Sequence, residues 1–293
     1  MWEMVDLGES NGLKIDLVIA TKFPSYFVRH DRKVLWLIHQ FRQFYDLYGT
    51  PYSDFRPGRL IDRLARRRFV ARDTAALASF DKRFTNSNNT RDRMRKYNGL
   101  EAETLYHPPK LAGRLRNLEY GDYVLSVGRL ERLKRTEGLI HALARTESPI
   151  RAVIAGTGPE EPALKKLARE LGLSARVEFA GYVDDEKLID LYGRALAVFF
   201  APVDEDYGYV TLEAFLSSKP VLTCGDSGGP LEFVTHEKNG FVCPPGDWGA
   251  AAAFIDRLHR DRGLCRSLGE AGREAVRGIT WDRVVARLLE GAA

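Results

Sequence analysis

The sequence predicts an α/β protein built from two doubly wound domains. Three observations carry this. Short strands that are apolar throughout alternate with helical segments over residues 121–245, the pattern of a parallel sheet covered on both faces. The length, 293 residues, suits two modest domains better than one. A double proline, Pro108-Pro109, opens a stretch without periodicity that reaches Gly121 and reads as a linker. The expected division is 1–117 for the first domain and 118–293 for the second.

In the first part, Ile15–Ala20 and Val34–Ile38 read as buried strands, the second ending at His39-Gln40. Residues 59–80 have helical spacing, with Leu60, Ile61, Leu64, Ala65, Phe69 and Val70 expected on one face and six arginines crowded into the same stretch. Ser87 to Thr90 carries the residue types that start a helix. In the second part, strands are expected at Tyr123–Gly128, Arg151–Gly156, Val177–Gly181, Leu196–Phe200, Pro220–Cys224 and Gly240–Val242, with helices between and after them.

Composition narrows the function classes. With 44% hydrophobic and 29% charged residues the chain is globular, and no apolar run approaches the roughly 20 residues that span a bilayer. The opening residues lack the pattern of a signal peptide. Three cysteines without paired spacing argue against a disulfide framework or a zinc site, so a cytoplasmic protein is expected. Residues 1–120 hold 22 Lys/Arg against 14 Asp/Glu, and residues 121–293 hold 22 against 26. A basic front suits an anionic membrane surface, an acidic acceptor or nucleic acid. No recognised nucleic-acid module accompanies it, so no nucleic-acid partner is expected.

Ligands of parallel α/β sheets sit at the carboxyl ends of the strands, so the loops there hold the candidates. After Gly128, Arg129 and Lys134 offer a planar fork and a point charge that together could neutralise a diphosphate. The same residues also fit an ordinary solvated charge run. After Phe200, Glu205 precedes Gly208, and Glu213 lies within the next helix. Gly208 lets backbone approach a ligand, and the N–H groups of Tyr209, Val210 and Thr211 at the helix start suit phosphate. Glu213 suits a ribose diol, and Glu205 suits sugar hydroxyls. An acidic cluster serving only the helix dipole remains open. The paired glycines Gly228-Gly229 suggest either close backbone contact or a tight turn.

Ser126-Val127-Gly128-Arg129-Leu130 with Lys134, Gly156-Thr157-Gly158-Pro159, Val177–Gly181, Glu205-Asp206-Tyr207-Gly208 with Glu213-Ala214, and Gly228-Gly229-Pro230-Leu231-Glu232 occur in this order. The set resembles family-four retaining glycosyltransferases of the GT-B architecture, which have two Rossmann-like domains. The resemblance implies that Arg129 and Lys134 grip the donor diphosphate, Glu205 holds the donor sugar, and Glu213 holds the ribose. It also implies backbone donors at Gly208, Tyr209 and Val210, and a border for the base at Gly181, Tyr182 and Val183. In the first part, Lys22–Tyr26, His39-Gln40, Thr85-Asn86-Ser87 and Tyr106–Pro109 resemble a subset of that family. There His39 matches a histidine near acceptor and donor sugar; a lone histidine at a strand end is as readily structural.

Such enzymes open with strands that this chain lacks, so the N-terminal domain is expected to be shortened. Its open edge would invite a partner or self-association. The implied reaction is metal-independent transfer of a sugar, with retention, from a UDP-, GDP- or ADP-linked donor to an acceptor hydroxyl. No cofactor and no metal are expected. The rivals are a nucleotide-sugar-binding protein or subunit that is incomplete without a partner, and an epimerase or phosphorylase of the same architecture. The basic, apolar stretch 59–72 fits either a solvated helix face or peripheral contact at the inner face of an anionic membrane.

Overall fold

The computed structural model describes residues 4–290; the first three residues of the opening stretch fall outside that range. The chain divides into two compact units. One runs to His107 and takes back the chain from Ile279; the other is Pro108–Gly278.

In the first unit a small hairpin, β1 (Glu9–Ser10) and β2 (Leu13–Lys14), precedes a parallel sheet of β3 (Val18–Lys22), β4 (Lys33–His39), β5 (Arg83–Thr85) and β6 (Glu103–Thr104), in that order. Strand β4 shows why its sequence is apolar throughout. Leu35 and Leu37 pack with Ala20, Tyr26, Leu77, Phe80 and Met94, whereas Val34 and Trp36 pack with Phe84 and Leu105. Alternate side chains feed opposite faces, and both faces are covered.

Helix α1 (Leu60–Ala78) corrects the expected apolar face. Leu60, Ile61 and Leu64 are exposed at 62%, 74% and 49%, while Asp62 and Asp73 are buried. The reason is polar pairing. Asp62 accepts the Arg56 amide at 2.9 Å, and Asp73 accepts the hydroxyls of both Tyr26 and Tyr45. Helix α2 (Asn88–Asn98) starts where capping chemistry predicts: the Ser87 hydroxyl accepts the Thr90 amide at 2.9 Å.

The second unit holds six parallel strands: β7 (Tyr123–Val127), β8 (Arg151–Ala155), β9 (Val177–Gly181), β10 (Ala197–Phe199), β11 (Val221–Cys224) and β12 (Gly240–Cys243). Their spatial order is β12-β11-β10-β7-β8-β9. The first three strands run outward one way and the next three the other, which is the doubly wound Rossmann order. Helices α3 (Glu137–Leu143), α4 (Glu161–Glu170), α5 (Asp185–Arg194), α6 (Tyr209–Leu216), α7 (Trp248–Arg260) and α8 (Arg262–Val276) belong to this unit. Its core joins Val124, Ile154, Phe199, Leu222 and Phe241 of the sheet to Leu139, Leu164, Ile255 and Leu268 of the helices.

The first unit ends at His107 rather than at residue 117. Residues of the expected linker are tied into the second unit: the Leu118 and Glu119 amides donate to the Gly193 carbonyl at 2.8 and 3.0 Å, and the Gly121 amide to the Arg194 carbonyl at 3.0 Å. The buried Lys219 ammonium donates to the Asn117 side chain and the Glu119 carbonyl. At the other end, helix α9 (Trp281–Glu290) belongs to the first unit and not the second. Val284 and Leu288 enter the cluster around Trp36, and Arg287 bonds Glu103 at 2.6 Å.

Candidate functional site

The order of the second sheet reverses between β7 and β10, and the crevice outside the carboxyl ends of those strands is where such sheets bind ligands. Lys134 ends a short 3-10 turn, Arg132–Lys134, in the loop after β7. Glu205 lies in the loop after β10. Backbone bonds join these loops to each other and to the loop after β11. The Val203 amide donates to the Leu133 carbonyl at 2.8 Å, the Asp204 amide to Asp226 at 2.9 Å, and the Glu205 amide to Ser227 at 2.9 Å; the Glu205 carbonyl accepts the Gly229 amide at 2.8 Å. Glu205 is therefore held extended beside Gly228, as if the sheet continued for one more residue. That placement brings Lys134 Nζ to 2.5 Å from Glu205 Oε2, with side chains 18% and 21% exposed. The ammonium also stands 5.8 Å above the Phe200 ring.

Gly208 precedes α6 with φ of 83°, a left-handed conformation that suits glycine, and a Cβ there would meet Phe200 and Pro230 at 3.0 Å. Tyr209 and Val210 form the first turn of α6, which has no side-chain cap. One turn on, Glu213 Oε2 accepts the Tyr192 hydroxyl at 2.8 Å. Tyr192, on α5, is fully buried. Burial raises the Glu213 carboxyl above its ordinary value, and the Tyr192 hydrogen bond opposes that rise. A carboxylate held this way by one oxygen is oriented before any hydroxyl reaches it.

The other expected residues are placed as follows. Arg129 is at the rim: its side chain is 75% exposed and bonds Glu131 at 2.9 Å. Gly181 closes β9, its carbonyl accepting the Gly156 amide at 2.7 Å. Tyr182 is 85% exposed and Val183 half-buried. Gly156 packs directly on the loop after β7, where any Cβ would lie 1.9 Å from the Gly128 carbonyl oxygen. His39 belongs to the first unit, where it closes β4 with an exposed side chain. The structure thus brings Lys134 and Glu205 together, and leaves Arg129 on Glu131. Two residues that sequence reasoning did not single out enter the site: Tyr192, behind Glu213, and Arg135, which bonds Asp226 and the Pro202 carbonyl. A tyrosine in a helix carries no mark of such a role. Arg135 stood within the cationic run, without a feature to separate it from its neighbours.

Among the described residues, no group of three or more His, Cys, Asp or Glu is placed to hold a metal ion. Among them, too, no helix is long and apolar enough to cross a membrane. Cys224, Cys243 and Cys265 are buried free thiols.

The fold has counterparts among solved proteins. Sucrose-phosphate synthase from Thermosynechococcus elongatus is 22% identical with a TM-score of 0.76, over 94% of this chain and 72% of that one. HepE of Anabaena, solved with UDP and glucose, is 21% identical with a TM-score of 0.69, over 75% of this chain and 65% of that one. The fold is that of the GT-B glycosyltransferases. The family described as "Glycosyl transferases group 1" matches residues 114–275, and the chain belongs to that family. An uncharacterized glycosyltransferase of Methanocaldococcus jannaschii is 32% identical over 164 residues, 55% of this chain and 42% of that protein. The chain spans less than half the length of the first curated relatives it matches.

Proposed function

We propose that this chain is a retaining, metal-independent glycosyltransferase that moves a sugar from a nucleoside diphosphate donor to an acceptor hydroxyl. The observation that carries the reading is the Lys134–Glu205 pair, 2.5 Å apart at the switch point and next to the uncapped start of α6. As the bond between the sugar C1 and the diphosphate breaks, negative charge grows on the leaving oxygen. Lys134, the backbone N–H groups opening α6, and Arg129 turned in from the rim supply positive potential for it. The acceptor oxygen bonds C1, the diphosphate oxygen keeps the electron pair of the broken bond, and the acceptor proton passes to that oxygen. Glu205, held by backbone on both sides, accepts hydroxyls of the donor sugar. Glu213, oriented by Tyr192, accepts the ribose diol, and Gly181-Tyr182-Val183 borders the base. His39 is assigned to the acceptor on its motif.

HepE, which shares the fold, was solved with UDP and glucose, and this supports a nucleoside diphosphate as the ligand class. Calorimetry with UDP-, GDP- and ADP-linked sugars tests the reading, followed by turnover of the tightest binder. Binding with turnover is expected; absence of binding by every donor would overturn it. The acceptor side is proposed to lie against an anionic membrane. Exposed Leu60, Ile61 and Leu64 share the start of α1 with exposed Arg59, Arg63, Arg67 and Arg68, and apolar side chains beside cations suit a headgroup layer. Salt-sensitive flotation with anionic vesicles is expected, and no flotation would remove this part of the proposal.

A further inference from the structure

Arg135 follows Lys134 directly and closes its 3-10 turn with φ 48° and ψ 39°. That is the left-handed region, which glycine enters freely and an arginine enters at a cost. The strained position carries a buried arginine, 8% exposed, whose guanidinium crosses to two other loops. Its Nη2 donates to the Pro202 carbonyl at 2.9 Å, in the segment leading to Glu205. The same nitrogen donates to Asp226 Oδ1 at 2.6 Å, in the loop after β11. Asp226 is no remote anchor. Its own carbonyl accepts the Asp204 amide, and the carbonyl of its neighbour Ser227 accepts the Glu205 amide, both at 2.9 Å. One side chain therefore joins the loop that supplies Lys134 to the two strands of backbone that hold Glu205.

We propose that Arg135 is a positioning residue: it sets the separation of Lys134 and Glu205, and so governs turnover of the donor more than its binding. Geometry decides which step it controls. The ribose carboxylate Glu213 is oriented from α5 by Tyr192, and the end of β9 is fixed on Gly156; neither arrangement passes through Arg135. Cutting the clamp leaves those contacts in place and loosens the loops bearing the two reacting-centre side chains, which keep the Val203–Leu133 backbone bond but lose the side-chain tie. A displacement on the order of 1 Å there costs about 100-fold in rate.

This inference rests on the glycosyltransferase reading, and its test keeps the two apart. Arg135→Gly removes the guanidinium and also relieves the left-handed strain, so the thermal midpoint should hold while turnover falls. Asp226→Ala cuts the same contact from its exposed side and serves if the glycine variant fails to fold. Turnover of the best nucleotide sugar, and calorimetric affinity for the matching nucleoside monophosphate, which keeps the ribose and base and lacks the outer phosphate assigned to Lys134, are measured for wild type, both variants, their combination and Arg135→Lys. The expected result is a kcat lower by about 10- to 100-fold in each single variant, an affinity within about twofold of wild type, and a double variant no worse than Arg135→Gly. Arg135→Lys, which can still reach one acceptor, should recover part of the loss. Wild-type turnover matched within about twofold by Arg135→Gly and Asp226→Ala would overturn the inference and leave the glycosyltransferase reading standing. Equal loss of kcat and affinity, tracking a lowered thermal midpoint, would also overturn it. A wild type that turns over no donor would overturn both.

Discussion

Lys134 Nζ and Glu205 Oε2 stand 2.5 Å apart, although their loops follow the first and the fourth strands of the second sheet. The cation proposed for the diphosphate is thus matched by the carboxylate proposed for the sugar. Their partial burial makes the pair stronger than one on the open surface. Glu205→Gln keeps shape and removes charge. It should lower kcat/KM by about 100-fold, with a stability change of about 1 kcal/mol or less, read by steady-state kinetics and denaturant unfolding.

The second relationship lies one turn into α6. Tyr192→Phe deletes the donor to Glu213 and leaves the ring in place. Affinity for the donor should fall about 3- to 10-fold, the loss of one hydrogen bond to a carboxylate. A 2′-deoxyribose donor supplies one hydroxyl fewer to Glu213 and should show a smaller effect. An equal effect on both donors would place the ribose elsewhere.

In the first unit, His107 is buried against Trp36 and Trp281, with ring centroids 4.9 and 5.6 Å away. Burial pushes its imidazole down to about 4. Between pH 6.5 and about 4 the unfolded chain binds a proton that the folded chain refuses. This contribution to stability is therefore present above pH 6.5 and lost as pH falls through that window, in total about 3 kcal/mol. Denaturant midpoints at pH 7 and pH 4.5 should converge more for His107→Gln than for wild type. Identical pH dependence in the two would show that His107 titrates normally.

Asp73 is buried and accepts two tyrosine hydroxyls, from Tyr26 and Tyr45. Asp73→Ala strands both, at a cost of about 2–4 kcal/mol in unfolding free energy. Tyr26→Phe removes one bond of the three-residue cluster and should cost about 1–2 kcal/mol. A destabilisation by Asp73→Ala no larger than that of Tyr26→Phe would mean that water replaces the lost carboxylate.

The second unit was legible because parallel strands buried on both faces must be apolar throughout, so β7 to β12 stand out as runs and the loops after them follow. The first unit was less so, and α1 shows why. Helical periodicity sorts residues by polarity, whereas Asp73 is inside because two tyrosines 47 and 28 positions away in sequence turn their hydroxyls toward it. Leu60, Ile61 and Leu64 are outside because nothing in this unit packs over them. The same distance in sequence hid the clamp of Arg135, whose partners are 67 and 91 residues on, and the return of α9 to the first unit. Spacing shows which loops meet at a strand end; it does not show which side chains cross between them.

The most direct test is release of nucleoside diphosphate from a panel of UDP-, GDP- and ADP-linked sugars, measured in the presence of EDTA for the wild-type protein and Lys134→Ala. The account predicts release by the wild type with at least one donor, undiminished by the chelator, and a rate about 100- to 1,000-fold lower for Lys134→Ala. No release from any donor, or equal release by both proteins, would contradict it.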